Sequence, residues 1–207
     1  MIRVHHLNIS RSLRVIWLLE EMGVPYEIVR HRRNTKTMRA PLALRDLHPL
    51  GKLPIVEVDG KVLVETGLII EYLLAHHAPH LAPAADNADA HWRYRYWMHY
   101  AEGSLMPQLL LKLIADKMGL LALPIRGMVK EQVNLHLDYV EKEAGRSPWL
   151  AGAEFSAADI MMSFPLEVSV MRAGVTAATH PNITRLLSAM QARPAYQRAV
   201  AQAGDKG

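Results

Sequence analysis

The sequence predicts an α/β first half joined to an all-helical second half. Three observations carry that prediction. Residues 1–77 alternate short strand-like and helix-like patterns, with a turn signal at Asp59-Gly60. The stretch "APHLAPAADNADA" is rich in Ala, Pro and Asp, as linkers are. Beyond it the apolar residues recur only at helical spacing. The expected division is a first domain over 1–78, a linker over 79–90 and a helical domain over 91–207.

Each element has a local reason. "IRVHHLN" alternates faces and reads as a strand. "SLRVIWLLEEMG" places Val15, Ile16, Leu18, Leu19 and Met22 on one broad apolar face, and Gly23 supplies a left-handed stop. "YEIVRH" is a second strand. "PIVEVDGKVLVE" is a hairpin, and "TGLIIEYLLAHH" a helix. The order strand–helix–strand, short helical connection, strand–strand–helix implies a parallel pair followed by an antiparallel hairpin. The product is a mixed four-stranded sheet covered by helices. In the second half, residues 91–119 form a long helical pattern, kinked where Pro107 removes a donor. Further helices are expected over 124–145 and around 156–172, 182–192 and 194–203.

Composition narrows the chemistry. Half of the 207 residues are hydrophobic and no apolar run approaches a membrane span of roughly 18 residues. The chain enters a strand-like pattern directly after "MIRV", without an apolar signal segment. A soluble, cytoplasmic protein is therefore expected, with no membrane partner. The absence of cysteine excludes disulfides and cysteine nucleophiles, so any thiol must arrive with a ligand. The net charge of +4 and the cluster Arg30-His31-Arg32-Arg33 with Lys36 lack interleaved aromatics. They read as a solvated strand end and loop, with no nucleic-acid partner.

Four motifs bear on function. In "LNISRSLRV" two serines, Ser10 and Ser12, stand between a strand and a helix; a serine there usually caps the helix. "GKLPIVE" opens a strand with Pro54, which cannot donate to a ladder and belongs at a strand start or edge. "VLVETG" ends a strand at Glu65 and starts a helix at Thr66. Thr66 is a candidate cap. The helix N-terminus beside a carboxylate suits the paired charges of an α-amino-acid head group. "FSAADI" has capping-box spacing at Ser156 and Asp159, with Phe155 and Ile160 at staple spacing, and reads as folding information. The histidines do not form a metal site: His5 and His6 point to opposite faces, and Pro79 separates His76 from His80. Met161, Met162 and Met171 are expected in the core.

In this order and spacing, the chain resembles the cytosolic glutathione transferase superfamily over nearly its whole length. The residues that carry the resemblance are "SRSLRVIWLLEE", "GKLPIVE", "ETGLIIEYL", the Ala/Pro linker, the helical second half and "FSAADI". It implies a thioredoxin-like first domain and glutathione as co-substrate, with no metal. It implies that Pro54 is cis and that Leu53 pairs its backbone with the cysteinyl part of glutathione. Glu65 and Thr66 would hold the γ-glutamyl end, and Lys52 the glycine carboxylate. The activating hydroxyl falls after the first strand; Arg14 matches an arginine found a few residues past it, which favours Ser10 over the alternative Ser12. The resemblance is to a bacterial-type, serine-dependent member, and the absence of cysteine argues against the cysteine-type members, which favour thiol–disulfide exchange.

The expected activity is conjugation of the glutathione thiolate to small hydrophobic electrophiles, a detoxification role. Candidate walls of the electrophile pocket are Tyr96, Tyr100, Met106 and Leu109. A glutathione-binding or protein-interaction module without useful turnover is the rival reading, with a glutathione-dependent peroxidase or isomerase as a third. The family's mode of association and the aromatic run Trp92, Tyr94, Tyr96, Trp97 and Tyr100 imply a homodimer, with Glu102 or Ser104 reaching the partner's glutathione.

Overall fold

The computed structural model describes residues 1–84 and 86–204. The chain forms two compact units. The first comprises Met1–His80 together with the segment from Gln191 onward; the second is Leu81–Met190.

The first unit is built on four strands: β1 (Ile2–Leu7), β2 (Tyr26–His31), β3 (Ile55–Val58) and β4 (Lys61–Val64). Their spatial order is β2-β1-β3-β4. β1 and β2 are parallel, while β3 runs antiparallel to both β1 and β4. This is the predicted parallel pair plus hairpin. The hairpin turns at Asp59 and Gly60, both at positive φ (51° and 73°), as a two-residue turn of the favoured twist requires. The helices are α1 (Ser12–Met22), the short α2 (Leu44–Leu47) and α3 (Thr66–His77). α1 buries Val15 to Leu19 completely and ends at Gly23 with φ 65°.

The last helix, α9 (Pro194–Ala203), lies in the first compact unit. It packs on α1. Arg193 grips Glu21 bidentately at 2.6 and 2.8 Å, Arg198 reaches Glu20 at 2.7 Å, and the Tyr196 ring meets Trp17 edge-on at 5.1 Å. Sequence periodicity finds the helix but cannot say which face of which unit it covers.

The second unit contains α4 (Ala88–Tyr100), a π-helical turn (Ala101–Leu105), α5 (Met106–Met118), α6 (Leu123–Ala144), α7 (Ala157–Arg172) and α8 (Pro181–Gln191). α4 thus starts inside the segment read as linker, capped by Asn87, whose side chain accepts from Ala90 N–H. The expected kink at Pro107 takes the form of the π turn. Met106 N–H bonds back to Ala101 C=O, five residues earlier. The wider turn accommodates the ring and missing donor of Pro107 without breaking the helix.

The capping box at Ser156 and Asp159 is present at the start of α7. Met161 and Met162 are buried, but Met171 is 60 % exposed and is not a core residue. No described helix is long and apolar enough to cross a membrane.

Candidate functional site

Strand register gathers the sequence-predicted residues of the first unit at one end of the sheet. Ile55, at the start of β3, pairs with His5 near the end of β1 and with Val64 at the end of β4. The loop after β1, the Leu53–Pro54 bond before β3 and Glu65 after β4 therefore lie along the same edge. The Leu53–Pro54 peptide bond is cis. Pro54 is buried, Leu53 half-buried and Lys52 exposed.

Arg14 ties two of these elements together. The residue is 2 % exposed, and its guanidinium donates to Thr66 Oγ1 at 3.3 Å, joining the first turn of α1 to the first turn of α3. Guanidinium is a donor only, so Thr66 Oγ1 must accept, which leaves the Thr66 proton to point elsewhere.

The expectation that Thr66 caps α3 is corrected: Thr66 is the first helical residue, and Glu65 occupies the cap position with no side-chain bond to the helix. Glu65 C=O receives the first helical N–H, from Ile69 at 3.0 Å. Its φ of 67° is a conformation non-glycine residues seldom adopt, and such residues cluster at functional sites. The helix start consequently has backbone donors unclaimed by a capping side chain, beside an exposed carboxylate.

The serine pair also departs from the capping expectation. Arg11, not a serine, is the cap residue of α1, and it makes no side-chain cap bond. Ser12 is fully buried, and its Oγ lies 2.8 Å from His6 Nδ1, accepts from Leu7 N–H at 3.3 Å and contacts Ser10 Oγ at 2.6 Å. Ser10 Oγ accepts from Ser12 N–H at 3.3 Å and remains half-buried. Of the two serines, only Ser10 retains exposure to solvent.

The loop carrying Ser10 is held from outside. Ile9 has φ 50°, unusual for a β-branched residue. Arg33 donates to the carbonyls of Asn8 and Ile9, each at 3.1 Å, and to Met38 C=O at 3.0 Å. The basic cluster is therefore not merely solvated, because Arg33 fixes the backbone just before Ser10. Sequence reasoning missed both Arg33 and His6. The only available signal for His6 was alternation, which put it on the face opposite His5.

His5 serves that other face. Its Nε2 lies 2.8 Å from Glu57 and its Nδ1 lies 2.9 Å from His31 Nε2. The His5 bond, aided by Arg3, holds the Glu57 carboxyl below its usual range. Burial, with the charges of His5 and His6, lowers His31.

In the second unit, the aromatic run of α4 divides. Tyr94, Trp97 and Tyr100 are buried, while Trp92 and Tyr96 are 65 % and 44 % exposed. Tyr100 bonds His136 Nδ1 at 2.6 Å and stacks on Tyr96 at 5.4 Å; burial pushes its phenol up. Met106 and Leu109 are 8 % and 2 % exposed, so of the four candidate pocket walls only Tyr96 presents a large open surface. Glu102 and Ser104 sit half-buried on the π turn. Asp159 is buried as a structural acceptor, taking N–H bonds from Ser156 and Leu150, both at 2.9 Å.

A thioredoxin-like sheet with a hydroxyl, an uncapped helix start and a carboxylate along one edge, followed by a helical unit, defines the glutathione transferase architecture. The family models described as "Glutathione S-transferase, N-terminal domain" and "Glutathione S-transferase, C-terminal domain" match residues 10–76 and 128–194. The chain is 34% identical to glutathione S-transferase 3 of Schizosaccharomyces pombe, over 99% of this chain and 89% of that protein. It is 31% identical to glutathione S-transferase 1 of Saccharomyces cerevisiae, over 95% and 92%. The crystal structure of a glutathione S-transferase from Actinobacillus pleuropneumoniae superposes with a TM-score of 0.89 at 34% identity, covering 99% of this chain and 93% of that one. The chain belongs to the glutathione S-transferase family.

Proposed function

We propose that this protein binds glutathione along the described sheet edge and conjugates its thiolate to small hydrophobic electrophiles. The observation that carries the proposal is the convergence of Ser10, Leu53–Pro54 and Glu65–Thr66 on one edge through strand register and the Arg14–Thr66 bond. Glu65 pairs with the γ-glutamyl ammonium. The Thr66 hydroxyl and the free N–H groups of the α3 start take the glutamyl carboxylate. The Leu53 backbone holds the cysteinyl unit, and Lys52 the glycine carboxylate.

Ser10 is the hydroxyl that donates to the sulfur. A free thiol of this kind titrates near ~8.5, so only a few per cent is thiolate at neutral pH. Lowering it by each pH unit requires about 1.4 kcal/mol of selective stabilisation. A hydroxyl donor with the start of α1 behind it supplies roughly one to two such units. The sulfur lone pair then forms the C–S bond. In a substitution the leaving group departs with the bonding pair.

The protein is a homodimer in this reading, with Trp92 and Tyr96 as the exposed aromatics of α4 that a partner would cover. Glu102 or Ser104 would reach the partner's glutathione. The activity is tested with 1-chloro-2,4-dinitrobenzene beside organic hydroperoxides. Turnover of the aromatic halide supports the transferase. Turnover of hydroperoxides alone replaces it with a peroxidase. Tight glutathione binding without any turnover replaces it with a binding module.

A further inference from the structure

We propose that His6 is a positioning residue that sets the direction of a two-hydroxyl relay ending at Ser10, and that Ser12 is its middle member. The inference rests on the reading of Ser10 as the donor to the glutathione sulfur.

The geometry is a continuous chain: His6 Nδ1, Ser12 Oγ at 2.8 Å, then Ser10 Oγ at 2.6 Å. Two backbone donors enter it from fixed directions, Leu7 N–H onto Ser12 Oγ and Ser12 N–H onto Ser10 Oγ, both at 3.3 Å. His6 and Ser12 are 2 % and 0 % exposed, so water does not substitute for either. Each hydroxyl has one proton and two lone pairs. With these constraints the chain has only two self-consistent polarities.

In the outward polarity, His6 Nδ1–H donates to Ser12. Ser12 O–H donates to Ser10, and the Ser10 proton points to the ligand. Every lone pair and proton in the chain then has a partner. In the inward polarity, Ser10 donates to Ser12, Ser12 donates to an unprotonated Nδ1, and Ser10 offers the ligand a lone pair. The inward form accepts from a neutral S–H; the outward form donates to S⁻. A hydrogen held on His6 Nδ1 therefore favours the thiolate and disfavours the thiol, without the imidazole touching the ligand. No proton crosses the chain; only its orientation is selected.

Ser12 Oγ accepts from Leu7 N–H of β1, before the helix, so helix capping does not explain its burial beside His6. Of the ionisable groups nearby, His31 feels the charge of His6, and Arg14 is committed to Thr66. The variants below leave both in place.

The test uses the full-length protein saturated with glutathione. Nitrogen-15 spectra of the imidazoles, with the His6 signals identified by their loss in His6→Asn, should show a protonated Nδ1. An unprotonated Nδ1 in the glutathione complex overturns the proposal.

In parallel, thiolate absorbance against pH and glutathione affinity are measured for four single variants and one double variant. Ser10→Ala, Ser12→Ala and His6→Leu should each raise the bound thiol's pKa by about one unit, with roughly tenfold slower conjugation at neutral pH. Affinity should change less than about threefold, because the relay distinguishes thiolate from thiol and does not hold the tripeptide. His6→Asn, whose amide N–H stands near the place of Nδ1–H, should recover most of the loss. Ser12→Ala should add nothing in a Ser10→Ala background. If Ser10→Ala raises the pKa while Ser12→Ala and His6→Leu do not, Ser10 acts alone and the relay is wrong. If Ser10→Ala leaves the pKa unchanged, both the reading of Ser10 and the relay fall. Should His6→Leu fail to fold, Ser12→Ala and the Nδ1 signal decide.

Discussion

Replacing Asp159 with alanine removes a buried carboxylate that accepts from Ser156 and Leu150, and its effect can be worked from the structure. Asp159 is fully buried at the third position of α7. One oxygen accepts from Ser156 N–H and the Ser156 hydroxyl, the other from Leu150 N–H. Truncation leaves two buried N–H groups without acceptors, at about 1–3 kcal/mol each. Against this, burial pushes the Asp159 carboxyl up to about 6 from an ordinary 3.8. At neutral pH the native state therefore holds an unfavourable buried charge, and its removal returns roughly 3 kcal/mol at most, at about 1.4 per pH unit. Taking the midpoint, about 4 kcal/mol lost against about 3 returned, the net loss at pH 7.5 is about 1 kcal/mol, or roughly 2–4 °C in Tm for a chain of this size.

The pH dependence has a definite sign. A carboxyl raised in the native state contributes stability fully below its unfolded value and loses that contribution as pH rises through about 6. Asp159→Ala should therefore be more damaging at pH 4.5 than at pH 7.5, by about 2 kcal/mol. Thermal and urea unfolding at both pH values measure this, with calorimetric titration of glutathione on the folded protein. A loss below about 0.5 kcal/mol at both pH values, or a larger loss at pH 7.5, would refute the reasoning. Collapse of glutathione affinity at unchanged Tm would make Asp159 a site residue.

Other outcomes follow from the same geometry. Glu65→Ala should weaken glutathione binding at least tenfold by loss of a charged partner, with little change in Tm; unchanged affinity by calorimetry would remove Glu65 from the site. Arg33→Met should release the Asn8 and Ile9 carbonyls and slow conjugation several-fold while lowering stability by no more than about 1 kcal/mol, and equal activity would show that the loop holds itself. Glu57 is lowered by its His5 bond and His31 by burial, so both groups contribute stability that is lost on acidification. Glu57→Gln should flatten the part of the acid limb that falls through the carboxylate range, and an unaltered acid limb would sink that assignment. Light scattering at micromolar concentration should give twice the chain mass, and a monomer would reject the dimer.

Most of the fold was legible in the sequence because its signals are local. Alternation marked β1 and β2, Asp59-Gly60 marked the hairpin, Gly23 marked the end of α1, and the Ser156–Asp159 spacing marked the start of α7. The C-terminal helix was legible as a helix but not as a neighbour of α1, because Glu20, Glu21 and Trp17 lie over 170 residues from their partners. Of the proposed site, Glu65 is suggested by its residue type at a strand end, and Ser10 over Ser12 by the resemblance and Arg14. The site was illegible where a side chain acts across the fold. Nothing in "HRRN" says that Arg33 grips the carbonyls before Ser10. Nothing in "VHHLN" says that His6, rather than His5, meets a serine hydroxyl. Ser12 looked like a cap because serines before helices usually are, and burial against His6 overrode that preference.

The central claim is that the Ser10 hydroxyl stabilises the glutathione thiolate, and the most direct test is the pKa of the bound thiol. Thiolate absorbance is titrated in the glutathione complex of the wild-type protein and of Ser10→Ala. The wild-type complex should titrate one to two units below the free value of ~8.5, and Ser10→Ala should restore most of that difference at similar glutathione affinity. A wild-type value equal to that of free glutathione, or a depressed value that Ser10→Ala leaves untouched, would contradict the account.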